Sequence, residues 1–198
     1  MARMSAAERR PALIEAGLRV IAREGIAGAS TRAIVAEAGM KLASFHYAFE
    51  SRDAFLDELI ATVVAREASA VLPVDEVEGD LRSVLEAGLL RYVDHLRADP
   101  QHEQAMLELT QYALRAPDRH PLAVAQYARY AELAEQALEI AAERTGTTWR
   151  TPVAQAAAVL VAFTDGITMT WLVHRDDAVA VATARAAADA LARMADPR

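Results

Sequence analysis

The sequence contains no cysteine, and it has only eight glycines, seven prolines and 6% aromatic residues among 198 positions. Without thiols, the chain cannot form disulfides, thiolate zinc sites, iron–sulfur clusters or a cysteine nucleophile. Glycine and proline are too sparse to interrupt long segments, and alanine, the strongest helix former, occurs 46 times. No convincing stretch of polar and apolar alternation suggests a strand. Together these features predict an all-α fold.

Lysine is also scarce, since Lys41 is the single lysine beside 20 arginines, and the 28 acidic residues give the chain a net charge of −7. An acidic protein repels a polyanion on average, so binding to nucleic acid requires a local concentration of positive charge. Residues 1–52 hold eight basic and five acidic side chains, a net charge of +3, and the remainder carries −10. This division is typical of a DNA-binding head on an acidic body, although an ordinary solvated surface can also produce it.

Capping patterns predict nine helices along the chain. The first begins at a capping box formed by Ser5 and Glu8 and ends at Gly25, and Ser51, Thr151 and either Asp176 or Asp177 cap later helices. An acidic loop is expected at residues 72–79. The expected helices cover about residues 6–25, 32–38, 42–48, 52–71, 80–98, 100–115, 121–146, 152–174 and 177–195.

Two short helices around Gly39 predict a helix-turn-helix between residues 31 and 49. Gly39 allows the backbone a positive φ in the turn, and Met40 follows it as an apolar plug. Apolar side chains at the right spacing would fix the angle between the two helices. These are Ile34, Val35, Phe45 and Phe49.

The second helix of this motif would enter the major groove with its amino-terminal and outward side chains. Phosphate contacts are expected from residues around it, although Tyr47 could equally be structural. Lys41 could bind a guanine and Leu42 could pack against a thymine methyl group, which is a hypothesis about the operator. The candidate base-reading residues are Lys41, Leu42, Ser44 and His46, and the candidate phosphate contacts are Thr31, Arg32, Tyr47 and Arg52.

The segments 27–31, 36–49 and 51–56 together resemble the amino-terminal domain of the TetR family of bacterial transcriptional regulators. The resemblance covers roughly residues 9–60 and includes the turn glycine, the aromatic cluster and the downstream Ser-Arg-Asp cap. It departs from the usual pattern at Val35, Lys41, Ala48 and Arg52. Membership implies nine or so helices, a homodimer, and repression relieved by a small molecule. A helix-turn-helix domain at residues 1–50 and a helical effector-binding and dimerisation domain at 51–198 are then expected.

The effector site is less clearly indicated by the sequence, because pockets in helical bundles mix apolar walls with a few polar groups. Bulky and polar side chains on the predicted helices are the candidates, and each could instead fill the core. The effector they predict is apolar or aromatic. The candidates are Tyr92, His95, Met106, Glu108, Gln111, Tyr112, Tyr127, Tyr130, Phe163 and Trp171.

Other classes of site find little support. The five histidines lack an His-Glu-x-x-His motif or i, i+4 spacing, so no metal and no cofactor are expected, and no catalytic constellation emerges. Residues 152–173 are long enough to cross a bilayer, but Gln155, Asp165 and several threonines favour a core or interface helix. Asp165 could anchor a ligand or bond across an interface. The last two helices are apolar on more than one face, which predicts a homodimer.

The sequence therefore predicts a cytoplasmic, ligand-responsive repressor that binds a pseudo-palindromic operator as a homodimer. The alternative is a helical interaction protein, or a helical enzyme, with a degenerate helix-turn-helix head.

Overall fold

The computed structural model describes residues 6–67, 79–115 and 117–196, without the side chains of residues 6, 7 and 63–67. Nine α-helices lie within these ranges, as the sequence predicts, and they account for nearly all of the regular structure there. They are α1 (Ala6–Gly28), α2 (Thr31–Glu37), α3 (Leu42–Ala48), α4 (Arg52–Glu67), α5 (Leu81–Ala98), α6 (Pro100–Leu114), α7 (His120–Thr145), α8 (Val153–His174) and α9 (Asp177–Ala192).

The chain forms two compact units, which are discontinuous in sequence. Unit 1 consists of residues 1–66 and 101–126, and unit 2 of residues 67–100 and 127–198. Helix α6 therefore belongs mainly to unit 1, although it follows α5 of unit 2 directly along the chain. The division at residue 50 expected from the sequence remains a prediction about functional domains.

Local capping explains where several helices begin. Ser30 Oγ accepts a hydrogen bond from the amide of Ala33, and the side chains of Ser51, Asp80 and Asp176 cap α4, α5 and α9 in the same way. Each side-chain oxygen satisfies an amide that has no partner within its helix. The expected cap at Ser5 and the loop at residues 72–78 lie outside the described residues.

Two expectations at the carboxyl-terminal end were wrong. Helix α8 begins after Pro152 without a side-chain cap, because the hydroxyl of Thr151 has no hydrogen-bond partner in the described structure. Helix α9 ends at Ala192 rather than near residue 195. There Ala195–Asp196 (β2) pairs antiparallel with Thr148–Trp149 (β1). The backbone thus forms hydrogen bonds with a distant segment in place of helical ones, and local patterning does not reveal such a pairing.

Each unit has its own hydrophobic core. In unit 2 the core lies mainly between α5, α7, α8 and α9, and α9 contributes small side chains spaced three and four residues apart. The buried side chains of α9 are Ala180, Ala184, Ala187, Ala188 and Leu191, and unit 1 buries, among others, Leu13, Val20, Ile34, Phe45, Phe55, Leu59 and Leu109.

The turn of the helix-turn-helix has the backbone conformation expected for its glycine. Gly39 has a φ of 64°, and a Cβ added there would meet no atom within 4 Å. We expect Gly39→Ala to lower the free energy of unfolding by about 1–2 kcal/mol, because an L-residue resists this left-handed conformation. Gly39→Asn should cost less, since asparagine tolerates it better. Urea denaturation of both variants checks this, and a Gly39→Ala protein as stable as the wild type would contradict it.

Candidate nucleic-acid interface

Helices α2 and α3 are joined by a short turn fixed by backbone bonds. The amide of Met40 donates to the carbonyl of Val35 at 2.7 Å, and the amide of Gly39 donates to Ala36 at 3.0 Å. Met40 is half-buried against the core of unit 1. Ile34 and Val35 are buried, as the sequence predicts. The turn therefore sets the direction of α3 without relying on exposed side chains.

Three phenylalanines hold α3 against the rest of unit 1. Phe45 and Phe55 are fully buried and Phe49 nearly so. The ring centroid of Phe45 lies 5.5 Å from those of Phe49 and Phe55, and the rings of Phe49 and Phe55 meet edge to face at 5.0 Å. Such aromatic packing stabilises a fold by more than the burial of its apolar area alone. The predicted structural role of Phe45 and Phe49 is confirmed.

The opposite face of α3 is open to solvent. Lys41 and His46 are exposed, Leu42 is 39% exposed and Tyr47 is 85% exposed, while Ser44 is half-buried. Lys41 is the N-cap residue of α3, and its side chain makes no cap hydrogen bond. Tyr47 therefore packs little against the protein, and its ring and hydroxyl are accessible to another molecule.

Charge pairing distinguishes the cations near this face from several other arginines of unit 1. Arg19 and Arg23 both pair with Glu37, whose pKa is lowered chiefly by its hydrogen bond with Arg19. Lys41 and the exposed Arg32 form no ion pair among the residues that the structure describes. No described residue therefore neutralises their charges, which can meet phosphate.

Arg52 has an additional role that the sequence did not suggest. Its Nε donates to the carbonyl oxygen of Ala29 at 2.8 Å, and its Nη2 donates to that of Ile26. Arg52 thus fixes the chain between α1 and α2. Its half-buried guanidinium has further N–H groups that can donate to another acceptor. Thr31 is half-buried in the first turn of α2. Phosphate binding by Thr31 and Arg52 remains a prediction.

The end of α1 is held by a side chain of α6. Gly25 has a φ of 73°, which breaks the helix where the sequence predicts, although a further turn extends to Gly28. The freed amide of Ile26 donates to Glu108 Oε2 at 2.7 Å. Glu108, a candidate effector contact, therefore already satisfies a backbone group of unit 1.

A second polar cluster of unit 1 includes Tyr112, another effector candidate. Its hydroxyl donates to Asp53 Oδ1 at 2.9 Å, and Arg119 pairs with Asp53 at 2.6 Å while its guanidinium lies over the Tyr112 ring. Burial, together with the hydrogen bond to Asp53, raises the pKa of Tyr112 to about 12. Tyr112 therefore stays protonated and acts as a donor at neutral pH.

The ten effector candidates are divided between the two units. Met106 is buried and Gln111 exposed, both on α6 of unit 1 with Glu108 and Tyr112. The other six, which lie in unit 2, differ in exposure: His95 and Tyr127 are exposed, Trp171 is buried, and Tyr92, Tyr130 and Phe163 are half-buried. A site that includes all ten is therefore not seen within either unit.

In unit 2, two tyrosines contact polar residues of α8. The Tyr92 hydroxyl is hydrogen-bonded to that of Thr168, and the Tyr127 hydroxyl donates to Asp165 Oδ2 at 3.0 Å. Burial raises the pKa of Asp165 and, together with that carboxylate, raises the pKa of Tyr127 to about 12. Asp165 lies within α8, which continues through it.

The outer surface of α8 and α9 is apolar. Met169 is 51% exposed, Val173 66% and Val179 46%. A cavity of about 280 Å³ opens between the two helices and is lined in part by Trp171, whose Nε1 donates to Asp177. Helix α8 is long and apolar enough to cross a bilayer, a property that core and interface helices share. No cluster of three metal-ligating residues occurs within the described ranges.

The chain is similar to known bacterial transcriptional regulators. Residues 13–59 match the model of bacterial regulatory proteins of the tetR family. The chain is 26% identical over 175 residues to the HTH-type nicotine-responsive transcriptional repressor HdnoR of Paenarthrobacter nicotinovorans, covering 88% of this chain and 89% of HdnoR.

Solved structures share the fold over nearly the whole length. The multidrug binding protein EbrR in complex with imidazole is 29% identical, with a TM-score of 0.64 and coverage of 96% of this chain and 97% of EbrR. A transcriptional regulator from Rhodococcus sp. Rha1 is 19% identical, with a TM-score of 0.73 and coverage of 96% and 98%, which shows likeness of fold alone.

Proposed function

We propose that this chain, a member of the TetR family of bacterial regulatory proteins, is a homodimeric cytoplasmic repressor whose operator binding is relieved by a small molecule. Its relatives are transcriptional regulators, and HdnoR is a repressor. The observation that carries the proposal is the arrangement of α3. The buried Phe45 anchors this helix in the core of unit 1, and its opposite face exposes Lys41, Leu42, His46 and Tyr47 to solvent.

On the operator, we assign α3 to the major groove. Lys41 and Leu42 lie at its amino-terminal end, where recognition helices of this motif contact base edges. Lys41 can donate to the O6 and N7 atoms of guanine, and Leu42 can pack against a thymine methyl group. Arg32, Thr31, Tyr47 and Arg52 would contact phosphates, which fix register without reading sequence.

Dimerisation would use α8 and α9. Their exposed apolar side chains, Met169, Val173 and Val179, lack cover in the single chain. A two-fold axis would bury the same face of both copies in a four-helix bundle. Two heads related by that axis would require half-sites in a pseudo-palindromic arrangement.

The effector would be a small apolar or aromatic molecule bound by the helical body. The relative HdnoR is nicotine-responsive, and EbrR has been solved with imidazole and with ethidium. Binding would favour the head separation that does not fit the operator. A coupling of about 1–3 kcal/mol between the two ligands is the usual size of such an effect.

A gel shift with DNA from upstream of the gene, repeated at increasing salt, tests the proposal. We expect a specific complex whose affinity falls steeply with salt, because phosphate contacts release counterions. Unlabelled operator should compete, and random DNA of equal length should not. Absence of specific binding at every salt concentration would instead favour a helical interaction protein or enzyme with a degenerate head.

Lys41→Ala tests the assignment of base contacts. We expect operator affinity to fall by about 1–3 kcal/mol and the preference for one guanine to relax, because a base contact is lost. Footprinting and gel shifts with operators substituted at each position measure both effects.

The matched control is Arg91→Ala, which removes one exposed positive charge from unit 2. It should leave the sequence preference unchanged. If Lys41→Ala also leaves that preference unchanged, Lys41 does not read a base.

A further inference from the structure

Asp165 is an unusual carboxylate in unit 2. It lies in the middle of α8, is partly buried, and accepts one hydrogen bond, from the hydroxyl of Tyr127 at 3.0 Å. No arginine, lysine or histidine pairs with it among the residues that the structure describes. A carboxylate withdrawn from water without a positive partner is unfavourable.

Two other partly buried carboxylates of unit 2, Glu86 and Asp177, have cationic partners. Glu86 pairs with both Arg82 and Arg185, and Asp177 pairs with Arg97 at 3.0 Å. Within the described ranges, arginines thus lie where α5 meets α9, and none pairs with Asp165. Burial without a positive charge also explains why the pKa of Asp165 is raised.

Aromatic rings accompany this carboxylate. The rings of Tyr127 and Tyr130 meet edge to face with centroids 5.5 Å apart, and Tyr127 is the residue bonded to Asp165. Aromatic faces attract organic cations, because the ring quadrupole is negative above the plane. Tyr127 is 38% exposed, so a molecule can reach the pair from solvent.

Helix α5 contacts the next turn of α8. Thr168, three residues beyond Asp165, is hydrogen-bonded to Tyr92 of α5. One turn before Tyr92, on the same face of α5, lies the half-buried Gly88, where an added Cβ would meet no atom within 4 Å. Glycine is less favourable than alanine within a helix, and no atom of the described structure excludes a larger side chain at Gly88.

We infer that Asp165, Tyr127 and Tyr130 form a subsite for an organic cation, with the carboxylate as its counter-ion. This inference rests on the proposed function, and it narrows the effector from an apolar or aromatic molecule to one that carries a positive charge. The cation replaces the arginine that the chain lacks at this position. The space beside Gly88 accommodates the uncharged part of the molecule.

The test uses the full chain, without DNA, and two probes of nearly the same shape. The first is 10-methylacridinium, which is permanently charged, and the second is acridine, which is largely neutral at about pH 7.5. We expect the wild-type protein to bind the cation at least about tenfold more tightly, as measured by fluorescence titration, because one charge-assisted contact separates the probes.

Asp165→Asn keeps the shape of the side chain and removes its charge, so the preference for the cation should disappear. Glu139→Gln, which removes an exposed carboxylate from α7 of the same unit, should retain it. Circular dichroism establishes that both variants are folded. Retention of the preference in the Asp165→Asn protein would overturn the inference, as would equal binding of the two probes by the wild type.

Gly88→Leu provides a second variant that leaves Asp165 intact. Its side chain should fill the open space and weaken the binding of both probes by about tenfold or more. Unchanged binding of both would overturn the site. Operator binding is measured separately by gel shift, so a protein that binds the cation and no DNA would contradict the proposed function alone.

Discussion

Phe45→Ala should abolish operator binding by destabilising unit 1. Phe45 is fully buried and packs against both Phe49 and Phe55, so its removal leaves a cavity where α3 is anchored. Buried phenylalanine-to-alanine changes cost about 3–5 kcal/mol, which is a large fraction of the stability of a typical domain. Chemical denaturation followed by circular dichroism measures the loss, and gel shifts measure its effect on binding.

Tyr47→Ala is the matched control for this prediction. Tyr47 is two residues away on the same helix and is 85% exposed, so its removal should change the free energy of unfolding by less than about 0.5 kcal/mol. It should nevertheless weaken operator binding, if Tyr47 contacts phosphate. A Phe45→Ala protein as stable as the wild type would show that the aromatic cluster does not fix α3.

Val173→Asp should convert the proposed dimer into monomers. Val173 is 66% exposed on α8, one turn after the exposed Met169, and a carboxylate there would be buried without a partner in the dimer. Monomers lose the simultaneous binding of two half-sites, so operator affinity should fall by roughly a hundredfold or more. Sedimentation at micromolar concentration and gel shifts measure the two effects.

Val124→Asp provides a control of the same chemical change. Val124 is 54% exposed on α7, within unit 1, and its substitution should leave the oligomeric state unchanged. If the wild-type protein itself sediments as a monomer at micromolar concentration, then α8 and α9 do not form the proposed interface.

The sequence predicts the helix-turn-helix well because its determinants are local. The Gly39 turn, the apolar positions of α2 and the phenylalanines of α3 lie within about twenty residues, so helical spacing alone assigns their roles. The same reasoning located the cap at Ser51, and Asp176 is one of the two residues it offered for the cap of α9, since an N-cap bonds only three residues ahead.

Residues that act over long sequence distances were not predictable in this way. Arg52 bonds to carbonyls 23 and 26 positions earlier, and Glu108 bonds to an amide 82 positions earlier. The sequence predicts that Arg52 contacts phosphate and that Glu108 contacts the effector. Nothing in the local pattern indicates that either side chain satisfies distant backbone groups. The short β1–β2 pairing escaped notice for the same reason.

Because the chain has a single lysine, an amine-reactive reagent can label the start of α3 selectively. Lys41 is exposed and is the one lysine side chain of the sequence, while the other 20 basic residues are arginines. Reagents that acylate amines at alkaline pH do not modify guanidinium groups under the same conditions. A fluorophore coupled to a side-chain amine therefore reports from the amino-terminal end of α3, with the α-amino group as the other target.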